Sequence, residues 1–108
     1  MNAPASEPLC FGRFELQAHE RKLLVDGKPV AIGARAFDLL LALARRPGHL
    51  LSKQDLMDLV WPGRVVEENN LAAQVCALRK VLGGDVIATI PGCGYRFVAP
   101  VSAAGPQS

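Results

Sequence analysis

Cysteine is scarce and badly placed for a disulfide scaffold: Cys10, Cys76 and Cys93 are odd in number and far apart, with no C-x-x-C pair. Only His19 and His49 could add imidazole ligands, so the chain is read as having no metal and no cofactor. No apolar run, Phe37 to Ala44 included, approaches the roughly 18 residues needed to cross a bilayer. The N-terminus lacks a charged stretch followed by an apolar one, and the expected location is the cytoplasm. Charge of one sign is also short. Twelve Lys and Arg against ten Asp and Glu leave +2, which by itself announces neither nucleic acid nor a membrane surface.

Signatures of catalysis are missing as well. No nucleophile stands at a useful spacing from a base, and there is no G-x-x-x-x-G-K-S/T phosphate loop. Gly92-Cys93-Gly94 lacks the strand-to-helix setting that phosphate binding requires. A core of this size could hardly spare a substrate pocket, and the chain is not read as an enzyme. No low-pKa setting can be read around Cys76 or Cys93, so both are taken as free thiols.

What is present is a core-forming composition, half apolar over 108 residues, enough for one domain without staples. The expected domain covers residues 9–101. MNAPASEP before it is read as a disordered tail, and SAAGPQS from Ser102 as a linker or tail.

LCFGRFEL from Leu9 and RKLLVDGKPVAI from Arg21, the latter folded about Asp26-Gly27, predict a small antiparallel sheet of three strands. Phe37, Leu40, Leu41 and Ala44 share one face of a helix expected from Ala34 to Arg46 and ended by Pro47-Gly48. A second helix starts at Ser52, whose hydroxyl can cap the Asp55 amide while the Asp55 carboxylate reaches back. Leu56, Leu59 and Val60 are expected to face inward on it, and Trp61-Pro62-Gly63 breaks it.

The third helix is expected at about 69–82, with Asn69 or Asn70 as N-cap, Leu71, Val75, Leu78 and Leu82 as its buried stripe, and Gly83 in a left-handed closing conformation. Its other face carries Asn69, Asn70, Ala73, Gln74, Cys76, Ala77 and Lys80, free to meet a partner. VIATI and YRFVA then form a hairpin turned by Pro91-Gly92-Cys93-Gly94.

FGRFEL, AFDLLLALARRPG, LLSKQDL, the closing Trp61, NNLAAQVCALRKVLG and TIPGCGYRF occur in that order over nearly the whole chain. This pattern resembles the winged helix-turn-helix effector domains of the OmpR/PhoB type, and more closely their ToxR/CadC-like relatives. The resemblance implies an α+β winged helix-turn-helix fold and sequence-specific binding of double-stranded DNA in a bacterial transcriptional regulator. The third helix would enter the major groove, and the wing at 86–98 would lie on the backbone or in the minor groove. By the same resemblance, Trp61, Arg79, Thr89, Tyr95 and Arg96 lie near DNA backbone, and the loop 62–67 touches RNA polymerase in some members.

Side-chain chemistry agrees with those roles. Indole, guanidinium and hydroxyl groups donate well to phosphate, and Arg64 and Lys80 add positive charge. Asn69, Asn70 and Gln74 can pair with adenine, and Ala73 or Ala77 can meet a thymine methyl, which predicts a lean toward A·T pairs. Arg79 and Lys80 could alternatively be solvated charges at a helix end, Trp61 a core filler, and Tyr95 a packing residue.

Many relatives carry Arg where this chain has Cys76 and Ala77 on the helix and Cys93 at the wing tip. Phosphate neutralisation is correspondingly reduced, so weak binding by one copy and use of a dimer or tandem copies on DNA are expected. The same shortage of cations supports a rival reading, a winged helix serving as a protein-interaction module.

Overall fold

The computed structural model describes residues 9–18, 20–99 and 101–103. Along the chain run β1 (Leu9–Phe11), β2 (Phe14–Gln17), β3 (Lys22–Val25), β4 (Lys28–Val30), α1 (Ala34–Ala44), β5 (Leu50–Ser52), α2 (Lys53–Val60), α3 (Glu68–Leu82), β6 (Ile87–Ile90), β7 (Gly94–Phe97) and β8 (Ser102–Ala103). They form a five-stranded sheet in the order β4-β3-β2-β1-β8 and a three-stranded sheet in the order β5-β7-β6, with three helices. This is the winged helix-turn-helix arrangement expected from the sequence.

The N-terminal sheet is larger than the three strands expected. Val25 pairs with Lys28 across Asp26-Gly27, and both turn residues have positive φ, 54° and 83°, as a two-residue hairpin of right-handed twist demands. Arg13 clamps that turn by donating to Asp26 Oδ2 at 2.6 and 3.1 Å. At the other edge Ser102 and Ala103 pair with Cys10 and Leu9, so the sheet takes in two residues that sequence reading assigns to the trailing segment. The expectations placed on residues 1–8, His19 and 104–108 lie outside the described residues.

On α1 the buried residues are Ala36, Phe37, Leu39, Leu40, Leu43 and Ala44, a broader face than the expected stripe, while Leu41 is only half-buried. The helix touches both α2 and α3, which widens the side that must be apolar. Its last residue is Ala44, two before the expected end, with Arg45 as C-cap. Gly48, with φ +81°, turns the chain so that its N–H reaches the Phe97 carbonyl at 2.8 Å.

Ser52 caps α2 as expected: its hydroxyl accepts from the Asp55 N–H at 3.0 Å. Leu56 and Val60 are buried, but Leu59 does not face inward and stays 51% exposed. A 100° step per residue explains this, since the inward arc of so short a helix holds 56 and 60 and leaves 59 on its flank.

Leu71, Val75, Leu78 and Leu82 are all buried along α3. Its start differs from expectation. Glu67 is the N-cap, without a side-chain cap bond, so Asn69 and Asn70 stand inside the first turn with their amides uncommitted to capping. At the far end Gly83 has positive φ (93°) but an extended ψ (163°), a closing residue of a different kind from the left-handed one expected.

The wing is a three-stranded sheet because β5 adds to the expected hairpin, pairing Leu51 with Tyr95. Phe97, fully buried at the end of β7, meets Phe11 of β1 edge-to-face at 5.0 Å, and that contact joins the two sheets through one core.

Candidate nucleic-acid interface

On α3 the buried residues leave Asn69, Ala73, Cys76 and Lys80 as the line of side chains farthest from the core, spaced four, three and four residues apart. All four are exposed, as are Asn70 and Ala77 beside them. Gln74 is half-buried on the flank, so of the three amides expected to read bases it is the most recessed.

Arg79 leans the other way. One of its terminal nitrogens donates to the Ile87 carbonyl at 2.8 Å and to Thr89 Oγ1 at 2.7 Å, tying the helix to the first wing strand. Its remaining N–H groups are not spent on these bonds, because guanidinium carries five donors. Two residues expected separately at the backbone are thus a bonded pair.

At the wing tip Cys93 N–H donates to the Ile90 carbonyl at 3.0 Å around Pro91 and Gly92, the latter at φ +75°. Pro sets the first central angle and Gly supplies the second, positive one, the combination a type II turn needs. Cys93 is exposed there.

Tyr95 is only 8% exposed and packs in the core, in line with the packing alternative and against a free aromatic at the interface. Arg96 points from the opposite face of β7 and is partly buried. Its Nε is sealed from solvent without a hydrogen-bond partner.

Trp61, 7% exposed, plugs the end of α2. Among the described residues its indole N–H makes no hydrogen bond. Arg64 is exposed in the following loop, its N–H held by the Trp61 carbonyl at 3.1 Å.

Sequence reasoning missed Lys53. The first residue of α2, it donates its backbone N–H to the Cys93 carbonyl at 3.2 Å and forms an ion pair of 2.5 Å with Glu68, the first residue of α3. The hydrogen bond that the Lys53 ammonium donates to Glu68, and the negative charge of Glu68, raise the Lys53 pKa above the ordinary lysine value, with smaller contributions from Tyr95 and Cys93. Lys53 therefore sits where the start of α3, the wing tip and α2 converge. Only the pairing of β5 with β7 brings it there, and no local motif announces that contact.

A family model described as "Transcriptional regulatory protein, C terminal" matches residues 27–97. The transcriptional regulatory protein TrcR of Mycobacterium tuberculosis is 30% identical over 104 residues, 93% of this chain and 40% of the relative. The transcriptional activator CadC of Escherichia coli is 32% identical over 82 residues, 70% of this chain and 16% of the relative. The chain thus spans two fifths or less of the length of these relatives. Among solved structures, the DNA-binding domain of E. coli CadC superposes with a TM-score of 0.81 at 26% identity, covering 90% of this chain and 96% of that one. The DNA-binding domain of E. coli CpxR gives 0.77 at 26% identity, covering 92% and 100%. Among the described residues no helix is long and apolar enough to cross a membrane.

Proposed function

Because the chain belongs to the family of transcriptional regulatory protein C-terminal domains, we propose that it binds double-stranded DNA in sequence-specific fashion as the effector part of a bacterial transcriptional regulator in the cytoplasm. The observation that carries the reading is the exposed line Asn69, Ala73, Cys76 and Lys80 on a helix fastened to a β-wing by Arg79. A helix so presented fits the major groove, with the wing against neighbouring backbone.

In this reading Asn69, Asn70 and Gln74 address base edges, and Ala73 and Ala77 lie against thymine methyls. Trp61, Arg64, Arg79, Lys80, Thr89 and Arg96 serve the phosphates, with the wing turn at Cys93 and the hydroxyl edge of Tyr95 close by. Lys53 joins them as a cation beside the helix N-terminus. Two copies act together on repeated half-sites, since few cations are available to hold one copy. The loop 62–67, exposed except for half-buried Val66, is the surface for RNA polymerase in this reading.

Selection of the domain against random duplexes, followed by binding at two salt concentrations, tests this. Enrichment of repeated A·T-leaning half-sites is expected, with Asn69→Ala erasing preference at one position and Lys80→Ala weakening all sequences alike. No enrichment, and no saturable binding at low salt, would reject the DNA reading in favour of a protein-interaction module.

A further inference from the structure

The cationic surplus of this protein does not lie on the reading helix. Arg35, Arg45 and Arg46 rim a groove of about 330 Å³ beside α1 and the end of α2, with Asp38 as its acid. Three arginines against one aspartate give the groove a surplus of +2, as large as that of the whole chain. Asp38 is already engaged by Arg21 at 2.8 Å and by Arg35 at 3.8 Å, and Arg35 also donates to the Val60 carbonyl at 2.7 Å. Arg45 and Arg46 are exposed and, among the described residues, have no ion-pair partner.

The floor is apolar. Leu41 and Ala42 are half-covered, and Leu59 leaves half its surface in water. A phosphate backbone would satisfy the arginines but leave this floor wet. A segment that carries an aliphatic side chain next to a carboxylate would satisfy both.

The chain itself offers such a segment. Val65, the most exposed large apolar residue among those described, stands two positions before Glu67, which is exposed and has no ion-pair partner among the described residues. Pro62 lines the groove, so groove and segment lie side by side on one molecule: three residues span at most about 10 Å. Adjacent complementary patches of this kind are what a two-fold axis can join, each copy giving its segment and receiving its neighbour's.

We propose that the groove receives the 62–67 loop of a second copy, Val65 covering Leu59 while Glu67 meets Arg45 and Arg46, in a two-fold dimer. This deepens the proposal that two copies act together by naming their contact surface, and it needs no DNA for its test. The contact is smaller than the roughly 800 Å² per partner of a stable interface, so the dimer is weak in free solution and gains from tethering. It also occupies the loop proposed for polymerase, and the two contacts exclude one another.

Sedimentation of the 108-residue chain over a wide concentration range reads the dimer directly. Val65→Glu and Leu59→Asp, both at exposed positions and checked for native circular dichroism, should each raise the dimer dissociation constant by about tenfold or more. Glu67→Arg should weaken association, and adding Arg45→Glu and Arg46→Glu in the same chain should restore it. A chain that stays monomeric at every concentration would overturn the proposal and leave the groove to another protein. So would a dimer indifferent to Val65→Glu, or a charge swap without rescue. Because DNA is absent throughout, none of these results touches the DNA reading.

Discussion

Arg79 of α3 and Thr89 of β6 are joined by a 2.7 Å hydrogen bond, and the nitrogen that makes it also holds the Ile87 carbonyl at 2.8 Å. One side chain therefore sets the angle between the helix proposed to read bases and the strand proposed to rest on backbone. Its double duty explains why a cation that looks like an ordinary helix-terminal charge is half-buried.

Arg79→Ala should cost about 1–2 kcal/mol in urea unfolding, because it strips partners from a part-buried carbonyl and an exposed hydroxyl. Thr89→Val removes one of the two bonds and should cost less. Arg79→Lys should recover little, since an ammonium on a flexible stem does not reproduce a planar fork spanning two acceptors. Equal stability of the alanine variant and the parent would show that the clamp is not formed in solution.

The two glycines of the wing turn should respond differently to alanine. A Cβ on Gly94 would lie 2.0 Å from the Leu51 carbonyl oxygen, inside the backbone of the paired strand, where nothing flexible can yield. Gly92 has open space around it and needs only its positive φ. Gly92→Ala should therefore cost about 1–3 kcal/mol of strain with the fold retained. Gly94→Ala should cost clearly more and release β5 from β7, seen as lost amide protection at Leu51 and Tyr95.

These contrasts mark how far the sequence was legible. Leu71, Val75, Leu78 and Leu82 repeat at helical spacing and are all buried, and Asp26-Gly27 forms the turn its dipeptide announces. Local signals of that kind need no partner to be read. Leu59 has the same apolar character but faces outward, because its side of α2 has nothing packed on it. The short strands β5 and β8 carry no distinguishing pattern and are strands only through distant pairing with β7 and β1. For the same reason Lys53 escaped notice and the two readings of Tyr95 stayed open: tertiary contact brings the one beside α3 and packs most of the other into the core.

The boundary between core and interface on α3 can be tested one residue apart from its neighbours. Leu78 is fully buried, so Leu78→Ala should cost about 2–5 kcal/mol. Cys76 and Ala77, its sequence neighbours, are exposed, and Cys76→Ser or Ala77→Ser should move stability by no more than about 0.5 kcal/mol. Denaturant midpoints of the three variants decide the matter. If Cys76→Ser proved as costly as Leu78→Ala, the exposed line on which the proposed interface rests would be misplaced.

Lys53 and Glu68 give the interface a pH signature. Hydrogen bonding and charge from Glu68 raise the folded-state pKa of Lys53 above its ordinary 10.5. The pair's contribution to stability is thus fully present below pH 10.5 and is lost as pH climbs through the raised value. The Lys53 side-chain resonances should titrate above 10.5 in the parent, and Glu68→Gln should bring the midpoint back toward that value. In the proposed complex DNA would compete for the same ammonium, a phosphate replacing the carboxylate. Glu68→Gln should therefore strengthen binding at low salt by removing an acid from the helix N-terminus, whereas Lys53→Met should weaken it and flatten the salt dependence by about one phosphate contact. Unchanged salt slopes in Lys53→Met would place this lysine outside the DNA footprint and reduce its part to fastening α2 to α3.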